Sequence, residues 1–317
     1  MTAGRVVFLV NPASDNGATG RRWPELAHAA AAAGLDGTAL ISERPGHLAE
    51  LARAAARDGA DLLVVVGGDG SVYEAANGLS GVPDPPALAV VARGTGWDFV
   101  RTYGIPRRIE DAARVALAGE TRAVDLGRAT YRSWDGRQAD AVFANVASVG
   151  MSGAIAKRAN ETTKALGGKA SYLWATFAVF AGWSASEITV TVDGETRSGR
   201  MIDVVVGNGR YFGGGMEICP EAEPDDGLFD VLLIGDVTKR DLVLTMPKIY
   251  RGTHLPHPRA ELLRGMVVTV EADGRLPVQL DGEQPGTSPV RFEALPGALR
   301  LRVPAAEPSR AAGRTRP

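Results

Sequence analysis

Cysteine is nearly absent from this 317-residue chain. A single one, Cys219, excludes an intrachain disulfide and fits a reducing compartment. A surplus of positive charge is missing as well. With 35 Lys and Arg against 37 Asp and Glu the net charge is -2, so there is no basic excess to release phosphate counterions, which argues against a general nucleic-acid binder. The longest apolar stretch, Ala170 to Ala185, carries Ser, Thr, Tyr and Gly and is shorter than the roughly 20 residues a bilayer-spanning helix needs. The opening MTAGRVVFLVNP enters a strand-like run without the basic flank and cleavage site of a signal peptide. No internal repeat is present. These absences predict a soluble, cytoplasmic protein.

What is there is apolar bulk: 45% of the residues are hydrophobic, enough for a large core, and at about 100–200 residues per domain two domains are expected. The first part alternates in type. Strand patterns at Arg5–Val10, Thr38–Ser42, Asp61–Val66 and Leu88–Ala92 are separated by helical spacing at Trp23–Ala33, His47–Asp58 and Glu74–Leu79, with a further helix at Ile109–Ala118. The continuous apolar run before Gly67 suits a strand buried on both faces, and repeated β-α units predict an open doubly wound sheet. After about Val124 the style changes to strands divided by Gly, Asp and Pro turns: Arg128–Tyr131, Ala139–Ala147, Glu187–Asp193, Arg200–Gly207, Leu228–Ile234, Met266–Ala272 and Pro277–Leu280. Helical stretches at Gly153–Ala165, Ala170–Trp183 and Lys239–Tyr250 interrupt them, and Phe292–Val303 reads as a last strand pair. The proline-bearing polar tail, residues 305–317, is expected to be disordered.

The strongest local motif is Leu62-Leu63-Val64-Val65-Val66-Gly67-Gly68-Asp69-Gly70-Ser71. A buried strand runs into three glycines and an acid and then into a helix, which lets backbone amides and a helix N-terminus approach a polyanion. Asp69 repels a bare phosphate, so it suits Mg²⁺ or a positioned water. The bland alternative is a tight βα turn. The loop is not a Walker A, because Gly168-Lys169 is followed by Ala170, and not a dinucleotide fingerprint, because Tyr73 stands where the last glycine belongs. Ala92-Arg93-Gly94-Thr95-Gly96-Trp97-Asp98-Phe99 and Asn11-Pro12-Ala13-Ser14 also follow strands, where ligands of open α/β sheets collect.

Together NPAS, GGDGSVYEAANGL and RGTGWDFVRTYGIP resemble the diacylglycerol kinase catalytic family of soluble bacterial lipid kinases, related to sphingosine kinases. The resemblance continues, in the family's order, through Asn208–Gly215, Pro220–Asp230 and Leu280-Asp281-Gly282-Glu283. It implies an α/β fold of two domains, a doubly wound nucleotide-binding α/β domain plus a β-sandwich-like second domain. The first would comprise residues 1–124 and, because the chain returns at its end, 291–304; the second, for the lipid, residues 125–290. ATP would lie along Asn11, Pro12, Ala13, Ser14, Asp15, Ser42, Gly67, Gly68, Asp69, Gly70, Ser71, Val72, Tyr73 and Thr95. Glu283 would accept the proton of the acceptor hydroxyl. Glu223 and Leu228, through their carbonyls, and Asp226 would hold a structural Mg²⁺, while Asp69, Asp98 and Asp125 would form a water-linked network around a catalytic metal.

The implied reaction is transfer from MgATP to the primary hydroxyl of diacylglycerol or a similar lipid, giving phosphatidate. The partners are then a lipid and, transiently, a membrane surface on which the cytoplasmic enzyme docks peripherally, with a homodimer left open. An NAD kinase shares the GGDG loop, a sphingoid base is another candidate acceptor, and a non-catalytic nucleotide or lipid sensor is a rival of a different class. Taken alone, Asp281-Gly282 is a type I′ hairpin turn that leaves Glu283 an exposed strand residue, and Asp225-Asp226-Gly227 is a turn. His254 and His257 read as structural or solvated, and Cys219 as a small buried residue. Tyr172, Leu173, Trp174, Phe177, Phe180 and Trp183 read as a packed helix or a lipid-facing wall, and Lys157, Arg158, Lys164 and Lys169 as a patch for anionic headgroups. Ser71 stands where the family has Thr, and Tyr73 and Trp97 where many members have Asn. Both aromatics are expected near the nucleotide loops, with Trp97 placed to stack on adenine or to reshape the acceptor side.

Overall fold

The computed structural model describes residues 4–94, 96–161, 178–180 and 182–305. The first half alternates strand and helix as read, with an unread short helix α4 and an earlier start to α1: β1 (Val6–Val10), α1 (Ala18–Ala32), β2 (Thr38–Ile41), α2 (His47–Arg57), β3 (Leu62–Gly67), α3 (Asp69–Leu79), β4 (Ala87–Ala92), α4 (Asp98–Thr102) and α5 (Ile109–Ala118). The four strands lie parallel in the order β2-β1-β3-β4. Alternate residues point to opposite faces of a sheet, so Val7 and Leu9 meet α2 and α3 on one side while Phe8 and Val10 meet α1 and α5 on the other. That two-sided burial is why these strands carry almost no polar residue. Helix α3 begins at Asp69 rather than Glu74, so the glycine loop supplies the helix's first turn.

The second half holds β5 (Glu120–Ser133), β6 (Gln138–Phe143), β7 (Val146–Gly150), α6 (Met151–Glu161), β8 (Ser186–Val192), β9 (Glu195–Gly207), β10 (Tyr211–Phe212), β11 (Met216–Glu217), β12 (Phe229–Gly235), α7 (Lys239–Ile249), β13 (Ala260–Gly265), β14 (Val267–Ala272), β15 (Pro277–Leu280) and β16 (Glu283–Val303). Pairing runs β9-β7-β15-β16-β14-β8 and back to β9, so these strands close on themselves and leave no free edge in that ring. Their shared face buries Val149, Val190, Val204, Val206, Val268, Val278 and Leu280 around Phe143, Phe229 and Phe292. This is the β-sandwich-like partner of the doubly wound sheet.

The second half also departs from the sequence reading. The run Ala139–Ala147 breaks into β6 and β7 at Ala144-Asn145. Short strands β10, β11 and β13 were not anticipated. Phe292–Val303 is not a strand pair but the later part of one strand, β16, which pairs with β5 from Gly286 to Val303 and reaches Leu88 of β4 through Leu301. Leu299, Leu301 and Val303 pack in the first core, and Val290 and Phe292 in the second. Strand β16 thus passes from one core to the other. The tail from residue 306 lies outside the described residues.

Candidate active site

In the order β2-β1-β3-β4 the winding reverses between β1 and β3, the crevice where open α/β sheets bind ligands. The loops leaving those two strands face each other there. Asn11 donates from Nδ2 to Ser71 Oγ at 3.0 Å and accepts from the Ala13 amide at 3.0 Å. Ser14 Oγ donates to the Asn11 carbonyl at 2.9 Å. A side chain on Gly67 would collide with Ser71 Oγ, so strand and helix can meet this tightly only at glycine. Gly68 is the N-cap of α3, and no side chain caps it. The Ser71 amide turns back onto the Gly68 carbonyl at 2.9 Å, so the anion site lies at the amides that open the helix, Asp69 and Gly70, where the helix dipole adds to them.

Of the remaining predicted contacts, Ser42 is buried beside β1, its amide donating to the Val10 carbonyl at 2.9 Å. Asp15 turns toward Arg93, at 3.6 Å. Pro12 packs close against Gly20 at the start of α1. Val72 fills the first core and Tyr73 packs against the second, so neither aromatic nor aliphatic side chain projects as a ligand contact. Trp97 has one face of its indole covered by the Arg107 guanidinium, 3.3 Å from the ring centre, and its Nε1 donates to the Gly94 carbonyl. Adenine stacking on that face is pre-empted. Thr95 lies outside the described residues, as do Lys164, Lys169, Tyr172, Leu173, Trp174 and Phe177.

Acids gather at this crevice. Asp69 accepts from the Phe99 amide at 3.0 Å, and Asp98 accepts from Arg101 Nη1 at 3.1 Å and from the Gly214 amide of the second domain at 2.8 Å. A side chain on Gly96 would press on Asp69 Oδ2 and lie 3.7 Å from Asp98 Oδ2, so the two carboxylates converge on one point. Burial pushes the Asp69 carboxyl well above the usual range. Burial, then the charge of Asp69, lifts Asp98 to about 7. A buried acid and a half-buried one that repel each other make a donor set that a divalent cation neutralises, so the pair fits Mg²⁺.

Glu283 opens β16, and its Oε1 lies 3.4 Å from where a side chain on Gly70 would begin. The carboxylate therefore stands over the first turn of α3. The hairpin that carries it is anchored by Asp281, two residues earlier. This half-buried side chain accepts from the amides of Ala144, Asn145 and Val146 at 2.7, 2.9 and 3.0 Å, and desolvation raises it to about 6. The Asp281-Gly282 pair has positive φ at both positions, 49° and 94°, as a two-residue I′ hairpin requires. The turn reading holds for Asp281-Gly282, and the same turn sets Glu283 beside Gly70. The bracing role of Asp281 was not read from the sequence, because Asp before Gly is already explained by the turn.

Farther off, Asp125 spends both oxygens on the amides of Gly227 and Gly297, at 2.7 Å each, and so ties the Asp225-Asp226-Gly227 loop to the bend in β16. Asp225 pairs with Arg122 at 2.6 Å. Asp226 accepts from the Leu228 amide at 2.9 Å and is ion-paired to Arg264, whose Nε also reaches Asp230 at 2.9 Å. The Glu223 carbonyl accepts from the Asp226 amide at 3.4 Å. A cation on Asp226 competes with this guanidinium for the same oxygen. Among the described residues no cluster of three or more His, Cys, Asp or Glu is poised for a metal. His254 is buried with Nε2 3.1 Å from the Ile218 carbonyl, and Cys219 is buried with its thiol pushed up by desolvation.

The raised acids make a prediction for stability. A carboxyl that binds its proton more tightly in the fold than in the unfolded chain stabilises fully below its ordinary value, 3.8, and loses that contribution as pH rises through the folded value. Asp98 and Asp203 at about 7 and Asp281 at about 6 place the loss between pH 4 and 8. Thermal melts of the metal-free protein are expected to show a lower midpoint at pH 8 than at pH 5. A midpoint that rises over this interval contradicts the assignment.

The architecture is that of two-domain lipid kinases. It matches a crystal structure of a diacylglycerol kinase from Bacillus anthracis with a TM-score of 0.71 at 22% identity, over 96% of this chain and 98% of that one. In sequence, residues 5–129 match the diacylglycerol kinase catalytic domain, and residues 145–303 the YegS C-terminal NAD kinase beta sandwich-like domain. The protein named "Probable lipid kinase YegS-like" of Pseudomonas aeruginosa is 32% identical over 277 residues, 87% of each chain. The diacylglycerol kinase of Mycobacterium tuberculosis is 30% identical over 309 residues, 95% of this chain and 96% of that one. The chain belongs to the diacylglycerol kinase catalytic-domain family and is a lipid kinase.

Proposed function

We propose that the enzyme transfers the γ-phosphate of ATP to the primary hydroxyl of diacylglycerol, giving phosphatidate. The observation that carries this reading is the placement of Glu283 against Gly70, a carboxylate from the second domain facing an uncapped helix N-terminus of the first. In this reading the α3 amides and the Asn11–Ser14 turn hold the donor phosphates. Glu283 takes the proton of the acceptor oxygen as that oxygen attacks in line, and the amides receive the charge that develops on the transferring group. Asp69 and Asp98 would hold Mg²⁺, which supplies charge neutralisation for the phosphates when bound. A structural Mg²⁺ at the carbonyls of Glu223 and Leu228 and the Asp226 carboxylate belongs to the same reading and would displace Arg264.

An apolar cavity in the second domain supports a lipid acceptor. It lies between the sheet and helices α6 and α7, lined by Met151, Ile155, Val205, Phe212, Leu242 and Met246. Phe212 belongs to the β10–β11 hairpin, and the next turn supplies the Gly214 amide that meets Asp98. The cavity and the acid pair therefore share a wall. The substrate would be reached by transient, peripheral contact with a membrane surface; among the described residues no helix is long and apolar enough to cross one.

The test is an acceptor comparison with γ-labelled ATP, offering dioctanoylglycerol in mixed micelles, a sphingoid base and NAD in parallel. Label is expected in phosphatidate. Label confined to the sphingoid base or to NAD would replace this substrate assignment.

A further inference from the structure

Helix α7 has two faces of different kind. Leu242, Thr245, Met246 and Ile249 line the apolar cavity on one side. On the other, Val243 and Leu244 are 55% and 58% exposed, Pro247 stands beside them, and Tyr250 at the helix's end is 38% exposed. Scattered exposed apolar side chains are ordinary, but these are not scattered. Of the seven large hydrophobic side chains exposed among the described residues, three fall between Val243 and Tyr250. The same face is basic. Residues four apart share a helix face, so Arg240, Leu244 and Lys248 make one stripe, and Val243, Pro247 and the following Arg251 continue beside it. Lys239 opens the helix. Lys239, Arg240, Lys248 and Arg251 are all exposed, and no ion pair among the described residues includes any of them. The helix's one acid, Asp241, is held in the capping box with Thr238, and Asp236 ahead of it is paired with Arg200. In a chain whose net charge is -2, this is a local concentration of positive charge.

An apolar ridge set among lysines and arginines, on an 11-residue helix too short to span a bilayer, suits a helix that lies in a membrane interface. An apolar protein groove would cover Val243 and Leu244 but leave four cations without counterparts. A sheet of anionic headgroups answers both. We propose that the outer face of α7 docks the enzyme on an anionic phospholipid bilayer, with Val243, Leu244 and Tyr250 entering the headgroup boundary and the four cations meeting lipid phosphates. Docked this way, a single helix separates the bilayer from the cavity. Its far end reaches the reaction centre, since the Tyr250 phenol is raised by burial and then by the charge of Asp98. The inference rests on the lipid-acceptor reading for the reason the enzyme visits a membrane, and adds to it the surface that makes the visit.

The experiment sediments the full chain, without ATP, with vesicles of phosphatidylcholine alone or of equal parts phosphatidylcholine and phosphatidylglycerol. Wild type is expected to bind the anionic vesicles about 100-fold more tightly, and less so as salt screens the attraction. At about fivefold per cation, Arg240→Gln with Lys248→Gln should weaken that binding about 25-fold. Val243→Gln with Leu244→Gln should weaken it about tenfold, through lost apolar burial. Both double variants should melt with wild type, because all four positions are exposed. Arg57→Gln, at the end of α2 away from the crevice, removes a cation elsewhere and should leave binding unchanged. The proposal falls if wild type ignores anionic vesicles, if either double variant binds like wild type, or if Arg57→Gln weakens binding as much. It falls too if the chain self-associates without vesicles and the variants abolish that, since the face then pairs with a second copy. Label transfer to a monomeric short-chain diacylglycerol, a rate the double variants should keep, separates this surface from the substrate reading. Vesicle binding with no acylglycerol phosphorylated sinks the substrate reading and leaves the surface standing. Phosphorylation with vesicle binding unaltered by the variants does the reverse.

Discussion

Replacing Glu283 by Gln is expected to lower turnover with a lipid acceptor by at least 100-fold while leaving MgATP affinity within about threefold. The size follows from the 10²–10⁴-fold that a positioned general base contributes. Gln has the same shape and keeps a hydrogen-bonding oxygen, but it cannot take a proton. Glu283 is exposed at the start of β16, so the fold should be indifferent, with stability within about 0.5 kcal/mol of wild type. The anion site on α3 is made of backbone amides and is untouched by the change. Separate readouts keep the prediction sharp: phosphorylated lipid for chemistry, a nucleotide-binding titration for the donor half. Retained turnover would remove Glu283 from the reaction.

Asp281→Ala should have the largest structural effect of any single change near the site. Three amides, those of Ala144, Asn145 and Val146, lose the carboxylate they donate to at once, in a buried position where the β6–β7 break meets the β15–β16 hairpin. An unsatisfied buried donor costs about 1–3 kcal/mol, so a loss of about 3–5 kcal/mol is expected after some relaxation. At roughly 2 °C per kcal/mol for a chain of this size, the melting temperature should fall by about 6–10 °C. Activity should fall with it even below the melting transition, since the hairpin that carries Glu283 loses its brace. A variant that melts like wild type would show that the three amides find other partners and that Asp281 does not set the position of Glu283.

These two residues illustrate what the sequence could and could not say. The parallel strands were legible because burial on both faces leaves an unbroken apolar run, as in Leu62–Val66. The convergence of Asn11, Gly67 and Ser71 was legible because ligand loops follow strand C-termini. The early start of α3 was not, because Gly68, Asp69 and Gly70 have poor intrinsic helix propensity and only the tertiary setting makes them a first turn. Asp281 was half legible: the Asp-Gly pair announced a turn, and nothing local announced that its carboxylate reaches over 130 residues away to bind three amides. Tyr73 and Trp97 were read as nucleotide contacts from their place beside glycine loops, yet one packs in the second core and the other lies under Arg107. Asp203 was invisible, since one acid in the strand Arg200–Gly207 passes for an outward-facing position. Long-range placement, not residue type, decided each of these.

The central claim is spatial: the donor phosphate is held between the first turn of α3 and Glu283. It is tested most directly by a crystal structure with Mg²⁺ and a non-hydrolysable ATP analogue. The expected result has the γ-phosphate hydrogen-bonded to amides within Gly68–Ser71 and its phosphorus about 6 Å from the Glu283 carboxylate, the span that one attacking oxygen fills. A triphosphate seated on another loop, or one whose γ-phosphate faces away from Glu283, would contradict the account.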